Sequence, residues 1–395
     1  MTASRYAWKV VDRVRAVDRA LTRRDDSRSV LIDCTTPMNY AMAAPIQAAL
    51  AQDSRVRFYV TSSGRDGNRA ALHGHIQPGT TVVAPWAAAM KRIDVYLTAD
   101  LLWAPLPRGA KRIQMFHGVA GKFQHDYDAP ETSMRRWHRI FFVNQRRLRN
   151  FISAGAIDPD SDAPRLVGMP KVDCLVDGSL SRDAVLQRLE LDPARPTILY
   201  APTWSAASSL NTMGLELVQG LVGRAWNVIV KLHDRSRDPR AFYSGGVDWA
   251  ACLTRALPPG QSVLVTDSNI CPYLAAADVM ITDHSSAGFE YLLLDRPLVR
   301  INVPALLRGS NIGEEYVRLL ADASHSVEDP RGAVKAVEFS LANPSDRSAT
   351  RRAVASELFY KAGGATARAV DELYEAMELA PAVATTSMYS RTAVV

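Results

Sequence analysis

Paired cysteines are missing from this chain. Its four, Cys34, Cys174, Cys252 and Cys271, are scattered through 395 residues with no CxxC spacing. That argues against a disulfide framework or a cysteine-based zinc site and leaves buried, reduced thiols as the reading. No apolar run approaches the roughly 18 residues of a membrane span. The first residues lack the apolar core of a secretory signal. Neither a GxxxxGK[ST] phosphate loop, a GxSxG elbow, an HExxH pair nor a GxGxxG turn occurs. A nucleotide-triphosphate loop, a serine-hydrolase elbow, a zinc-protease helix and a nicotinamide cofactor are therefore not indicated. No internal repeat or low-complexity tract stands out.

What is present is an ordinary globular composition, 47% hydrophobic and 22% charged, with a formal net charge of +6 and a pI near 9.2. A basic balance suits anionic partners: nucleic acid, phosphorylated substrates or a membrane surface. Arg5, Lys9, Arg13, Arg15, Arg19, Arg23 and Arg24 alternate with Trp8, Val10, Val11, Val14, Val17 and Leu21 at roughly helical spacing. Two readings stay open for this segment, a basic amphipathic helix on anionic lipid and a solvated helix packed on the domain.

Short apolar runs then alternate with helix-length segments. Ser29–Asp33, Val56–Val60, Asp94–Thr98, Lys111–Phe116 and Arg139–Val143 read as strands, with a helix over Tyr40–Ala51. A second series follows at Thr197–Ala201, Trp226–Leu232, Ser262–Thr266, Asp278–Thr282 and Pro297–Ile301. This is the βαβ pattern of mostly parallel sheets. The fold class expected is α/β, with two Rossmann-like domains facing a cleft and helices over Ala349–Leu379. The turn-rich stretch before Gly168-Met-Pro170 sets the expected boundary, giving domains 1–163 and 164–395.

Four polar corners follow apolar runs: Phe116-His117-Gly118, Ala201-Pro-Thr203-Trp204, Lys231-Leu-His233-Asp-Arg235 and Thr282-Asp283-His-Ser285-Ser286. In doubly wound sheets the carboxyl ends of strands share one rim, where ligands bind. His117 can act as a base toward a hydroxyl near neutral pH; a structural loop histidine is the plain alternative. His233, with Arg235 and Arg237, makes a cationic corner able to hold a pyrophosphate or a departing phosphate; the plain alternative is a solvated basic loop. Thr203, Thr282, Ser285 and Ser286 offer hydroxyls for phosphate. Asp283 would repel phosphate and is expected to orient the loop. Glu290, on the next helix, is placed to reach ribose hydroxyls, against a plain ion pair. Arg135, Arg136, Arg139, Arg146 and Arg147 flank Phe141-Phe142-Val143 with no acid among them. They would guide a polyanionic acceptor or touch lipid head groups, or form a solvated rim.

In this order the corners resemble the CDP-glycerol glycerophosphotransferase family, the polymerases and primases of teichoic acid synthesis. The matching residues are His117-Gly118, Gly168-Met-Pro170-Lys171-Val-Asp173, Leu199-Tyr-Ala-Pro-Thr203-Trp204, Lys231-Leu-His233, Asp278 to Ser286 and Leu294-Asp295-Arg296-Pro297. The resemblance implies a glycosyltransferase-B-type fold, with CDP in the second domain and the acceptor presented by the first. His117 matches the family's histidine proposed as base and His233 its second essential histidine, near the donor phosphates. Thr282, Ser285 and Ser286 match its phosphate-binding turn. Lys171 stands where the family often has Arg, and His284 where it often has Tyr.

The expected activity is transfer of glycerol phosphate, or a related alditol phosphate, from a CDP-activated donor to an acceptor hydroxyl in cell-envelope or capsule polymer synthesis. The expected partners are that donor, a lipid-linked hydroxyl acceptor and an anionic membrane surface, without nucleic acid. The expected place is the cytoplasm, at the inner face of the plasma membrane. No dedicated metal site can be read, and Mg²⁺ would enter only with substrate phosphates. Two alternatives remain: a nucleotide-sugar glycosyltransferase or epimerase on the same fold, and a non-catalytic protein that binds anionic lipid or polymer.

Overall fold

The computed structural model describes residues 27–63, 74–99, 109–116, 136–309 and 312–381, with Val10, Arg13, Val14, Val17, Leu72, Gly118, Val119 and Met134. The basic N-terminal segment therefore lies almost wholly outside the described residues, as do His117 and Arg135.

Thirteen strands among these residues form two sheets. The first holds β1 (Arg28–Asp33), β2 (Val56–Thr61), β3 (Thr81–Val82), β4 (Val95–Thr98), β5 (Lys111–Met115), β6 (Arg139–Phe142) and β7 (Pro164–Leu166). The second holds β8 (Thr197–Tyr200), β9 (Asn227–Lys231), β10 (Ser262–Val265), β11 (Val279–Thr282), β12 (Leu298–Ile301) and β13 (His325–Val327). The orders are β3-β2-β1-β4-β5-β6-β7 and β10-β9-β8-β11-β12-β13, and every pairing is parallel. Each sheet thus reverses its order once, between β1 and β4 and between β8 and β11. Those two switch points are where a doubly wound sheet opens a crevice.

The strands are apolar on both faces because helices cover both. On β8, Ile198 and Tyr200 belong to one buried cluster and Leu199 to another; Val228, Val230 and Ile229 divide the same way on β9. This two-residue alternation assigns each side chain to one layer of helices. The larger cluster runs from Ile32 through Met169 and Val172 to Met280 and Leu373, so the two halves share apolar packing.

Two features depart from the expected division at residue 163. Strand β7 pairs with β6 and completes the first sheet. The last described helix, Ala365–Met377, packs on the helix Pro37–Leu50 and on β4. Chain order alone hides this, because a helix buries its apolar face wherever a complementary layer is open. Arg28 Nε donates to Met377 O at 2.8 Å, and the Tyr374 hydroxyl donates to Asp53 at 3.1 Å.

The Gly168–Asp173 stretch makes the crossing. Gly168 has φ +90°, and a Cβ there would lie 2.6 Å from Tyr360 O, so only glycine fits. Asp173 accepts from the backbone N–H groups of Gly363, Ala365 and Thr366 at 2.9, 3.2 and 2.6 Å. It therefore supplies the acceptors for the start of Ala365–Met377 from 190 residues away in sequence. Asp295, also in the left-handed region at φ +51°, accepts from Arg351 Nε at 3.0 Å and from Arg352 Nη1 at 2.9 Å. The Gly-Met-Pro and Asp-Arg-Pro motifs therefore serve the architecture.

Candidate active site

A cavity of about 350 Å³ lies between the carboxyl ends of the two sheets. From the second sheet it takes Thr203 and Trp204 after β8, Lys231, His233 and Arg235 around the end of β9, and Ser285 and Ser286 after β11. From the first sheet it takes Thr35, Thr36 and Asn39 after β1, Ala99 after β4, and Phe116 and Gly118 after β5. Both switch points open into it. Three predicted corners meet there, joined by the two residues that flank His117.

The β8 corner is held by a buried carboxylate. Asp283 has no solvent exposure and accepts from Thr203 N at 2.8 Å and from the Ser209 N–H and hydroxyl, each at 3.0 Å. Burial raises its pKa, opposed by those donors. Thr282 is equally buried, and its hydroxyl donates to Ala201 O at 2.7 Å. Thr282 and Asp283, read from sequence beside the phosphate contacts, therefore point into the scaffold and set the loop. Ser285 and Ser286 line the cavity, and the Ser285 hydroxyl accepts from Ala287 N at 3.2 Å.

In the β9 corner, His233 Nδ1 accepts from Arg235 N at 3.1 Å. With Nδ1 an acceptor, the proton of the neutral ring sits on Nε2. The Arg235 guanidinium lies 4.5 Å over the Trp204 ring, and the His233 ring lies 6.2 Å from Trp204. Cation–π stacking thus fixes a positive group beside the histidine.

The floor contains two buried lysines. Lys171 Nζ meets both Glu290 oxygens, at 2.8 and 2.7 Å, with side chains 6% and 2% exposed. Glu290 thus lines the cavity already bound to Lys171. Burial alone would depress Lys171; the Glu290 charge outweighs it, and the pKa is raised. Lys231 is likewise buried, and its Nζ donates to Leu232 O at 2.6 Å. Burial pushes its pKa down to about 8, with Asp234 opposing and Arg237 and Lys171 assisting. The sequence reading gave neither lysine a role. For Lys231 a signal existed: it ends a strand two residues before His233, the spacing that puts side chains on one face.

The predicted basic face is divided. Arg139 pairs with Glu372 at 3.1 Å and Glu375 at 2.7 Å, and Arg146 pairs with Glu315 at 2.8 Å and with Glu357. Arg147 turns inward, 4% exposed, with its guanidinium 3.8 Å over the Phe116 ring at the cavity wall. Arg136 is exposed. Of the four described arginines in what looked like one open patch, two are ion-paired, largely to helices far along the chain, one is buried at the cavity wall and one is exposed.

A second depression, about 490 Å³, lies at the amino ends of β8, β11 and β12. Its Arg182 pairs with Asp278 at 3.0 Å, and Arg296 donates to the carbonyls of Ala275 and Ala277 at 2.7 Å. Among the described residues no group of three His, Cys, Asp or Glu is arranged to hold a metal ion, and no helix is long and apolar enough to cross a membrane.

Two parallel six- and seven-stranded sheets with a cavity between their switch points define a glycosyltransferase-B-like fold. Residues 99–304, just over half of the chain, match the family model of CDP-glycerol:poly(glycerophosphate) glycerophosphotransferase, and the chain belongs to that family. Among solved structures it is similar to the wall teichoic acid polymerase TagF, with 17% identity over 95% of this chain and 97% of that one and a TM-score of 0.68. A TagF variant soaked with CDPG superposes at 0.69, again with 17% identity and the same coverage. An S. aureus MnaA structure with UDP shares 13% identity over 89% of this chain and 98% of that one, at a TM-score of 0.55. At these identities the structural likeness speaks to fold. No match was found among curated proteins.

Proposed function

We propose that this protein transfers glycerol phosphate from CDP-glycerol to a hydroxyl of a cell-envelope polymer acceptor. The observation that carries the reading is the meeting of the β8, β9 and β11 corners with the residues flanking His117 in one cavity. Family membership supplies the chemistry.

In this reading the acceptor oxygen attacks the β-phosphorus of the donor. The new O–P bond forms as the bond to CMP breaks, and the hydroxyl proton passes to His117. The His233 Nε2–H donates to the phosphoryl oxygens, helped by Arg235, Thr203, Ser285 and Ser286. Such transfer depends on positioning and on charge stabilisation. Glu290, held at two points by Lys171, presents a fixed carboxylate edge for ribose. Arg147 stands on the first-half wall, the side assigned to the acceptor. The basic N-terminal segment supports work on a lipid-linked acceptor at an anionic membrane face.

The test is CMP release from CDP-glycerol in the presence of acceptor polymer, with UDP-N-acetylglucosamine as control donor. His117→Ala and His233→Ala should each lower kcat by about 10²- to 10⁴-fold with melting temperature unchanged. Turnover of the uridine donor alone would replace this reading with the sugar-transferase one. Near-wild-type rates in the folded variants would remove the histidines from the mechanism.

A further inference from the structure

We propose that Lys231 is the cation that meets the donor's phosphoanhydride, a buried ammonium kept without a carboxylate so that a substituted pyrophosphate completes its coordination. The inference rests on the reading of the cavity as the CDP-glycerol site and adds the group that neutralises the incoming charge.

The geometry comes first. Lys231 closes β9, the strand next to β8 at the switch-point side of the sheet, and its side chain enters the cavity floor with only 5% exposure. An ammonium has three N–H donors. Among the described residues one is engaged, by Leu232 O at 2.6 Å, and no ion pair forms.

The carboxylates around it are already held by other groups. Glu290, from the helix Ser286–Tyr291, is bound at two points by Lys171. Asp234, from the turn after β9, accepts from Arg237 Nη2 at 3.1 Å and the Ser268 hydroxyl at 3.0 Å. Asp267, from the loop after β10, accepts from the Tyr273 hydroxyl. The facing cations are Lys171 and Arg237, and His233 stands two residues on. Lys231 is thus a buried positive charge whose local carboxylates are engaged elsewhere. A buried charge is stable only when paired. Here the missing partner is a dianionic ligand, and the space beside the ammonium is the cavity itself.

The electrostatics agree. Burial, Arg237 and Lys171 hold the Lys231 pKa near 8, against the pull of Asp234 and Asp267. An anion placed on Nζ would raise it, and by linkage binding then takes up protons above pH 8. The sign is fixed. The ammonium is charged below its free pKa, so affinity is level there. It falls by up to about tenfold per pH unit as pH climbs from the free toward the bound pKa. Both phosphates of CDP-glycerol are esterified and hold their charge across this range.

The experiment is calorimetric binding of CDP-glycerol and, in parallel, of UDP-N-acetylglucosamine, from pH 7 to pH 10, to wild type, Lys231→Arg and Lys231→Met, with melting temperature measured for each. Wild-type affinity for the bound donor should drop by roughly ten- to thirtyfold between pH 7.5 and pH 9.5. Lys231→Arg should bind with no such drop, and Lys231→Met should bind about 10- to 100-fold more weakly at pH 7 and be level with pH. If CDP-glycerol binds and Lys231→Met keeps the wild-type pH profile, the inference falls and the proposed function stands. If only the uridine compound binds, with the Lys231-dependent profile, the inference stands and the CDP-glycerol reading falls. Binding of neither compound overturns both.

Discussion

Lys171 and Lys231 enter the same cavity, are buried to nearly the same degree, and meet opposite treatment. Lys171 is locked to Glu290 by two short bonds and its pKa rises. Lys231 has a single backbone acceptor and its pKa falls to about 8. Burial acts on both in the same direction; the difference is the carboxylate. One lysine is part of the frame that joins Gly168–Asp173 to the helix after β11. The other is held in a state that the folded protein alone does not satisfy. Structural and functional cations can therefore be told apart by whether their counter-charge is built in.

The comparison can be broken at several points. The largest expected effect on stability is Lys171→Met, which leaves Glu290 buried with its charge unmet; it should destabilise the protein by about 3–5 kcal/mol, read as a shifted denaturant midpoint. A midpoint within error of wild type would mean the pair is weaker than its geometry. The double variant Lys171→Met, Glu290→Leu should recover most of that loss, because an apolar replacement of a buried pair is often neutral, while donor affinity stays reduced. Smaller and opposite in sign, Lys231→Met should stabilise the unliganded protein by about 1–2 kcal/mol at pH 7 while weakening donor binding, a trade of stability against function. A loss of stability there would place Lys231 in the frame with Lys171. The smallest effect is Ser285→Ala. It removes one helix-capping acceptor, at about 1 kcal/mol, and one donor-facing hydroxyl, and should raise the donor KM a few-fold with little change in kcat.

The parallel sheets were legible because their strands are buried on both faces and read as unbroken apolar runs, as in Val279–Thr282. The short edge strands Thr81–Val82 and His325–Val327 carry too few apolar residues to stand out. The corners after β8, β9 and β11 were legible since polar residues after a strand have few other reasons to cluster. The roles within them were less so. Thr282 and Asp283 look like their neighbours Ser285 and Ser286 in a string of letters, and only the fold turns two inward and two outward. The Lys171–Glu290 pair joins residues 119 apart, and Glu372, which engages Arg139, and Glu315, which engages Arg146, lie 233 and 169 positions later. Nothing local to any of these residues announces a partner so distant.

The return of Ala365–Met377 to the first sheet has a consequence for the order in which the protein is made. The helix layer over Pro37–Leu50 and β4 is finished by a segment that follows the whole second sheet in the chain. The helix Pro37–Leu50 and β4 must wait, with an apolar face uncovered, while the whole second sheet is synthesised. The second half has its nearest partners close at hand and can fold first. During synthesis the first sheet would then become native after the second, although it is made before it, and a stop before residue 365 would strand it for chaperones and proteases.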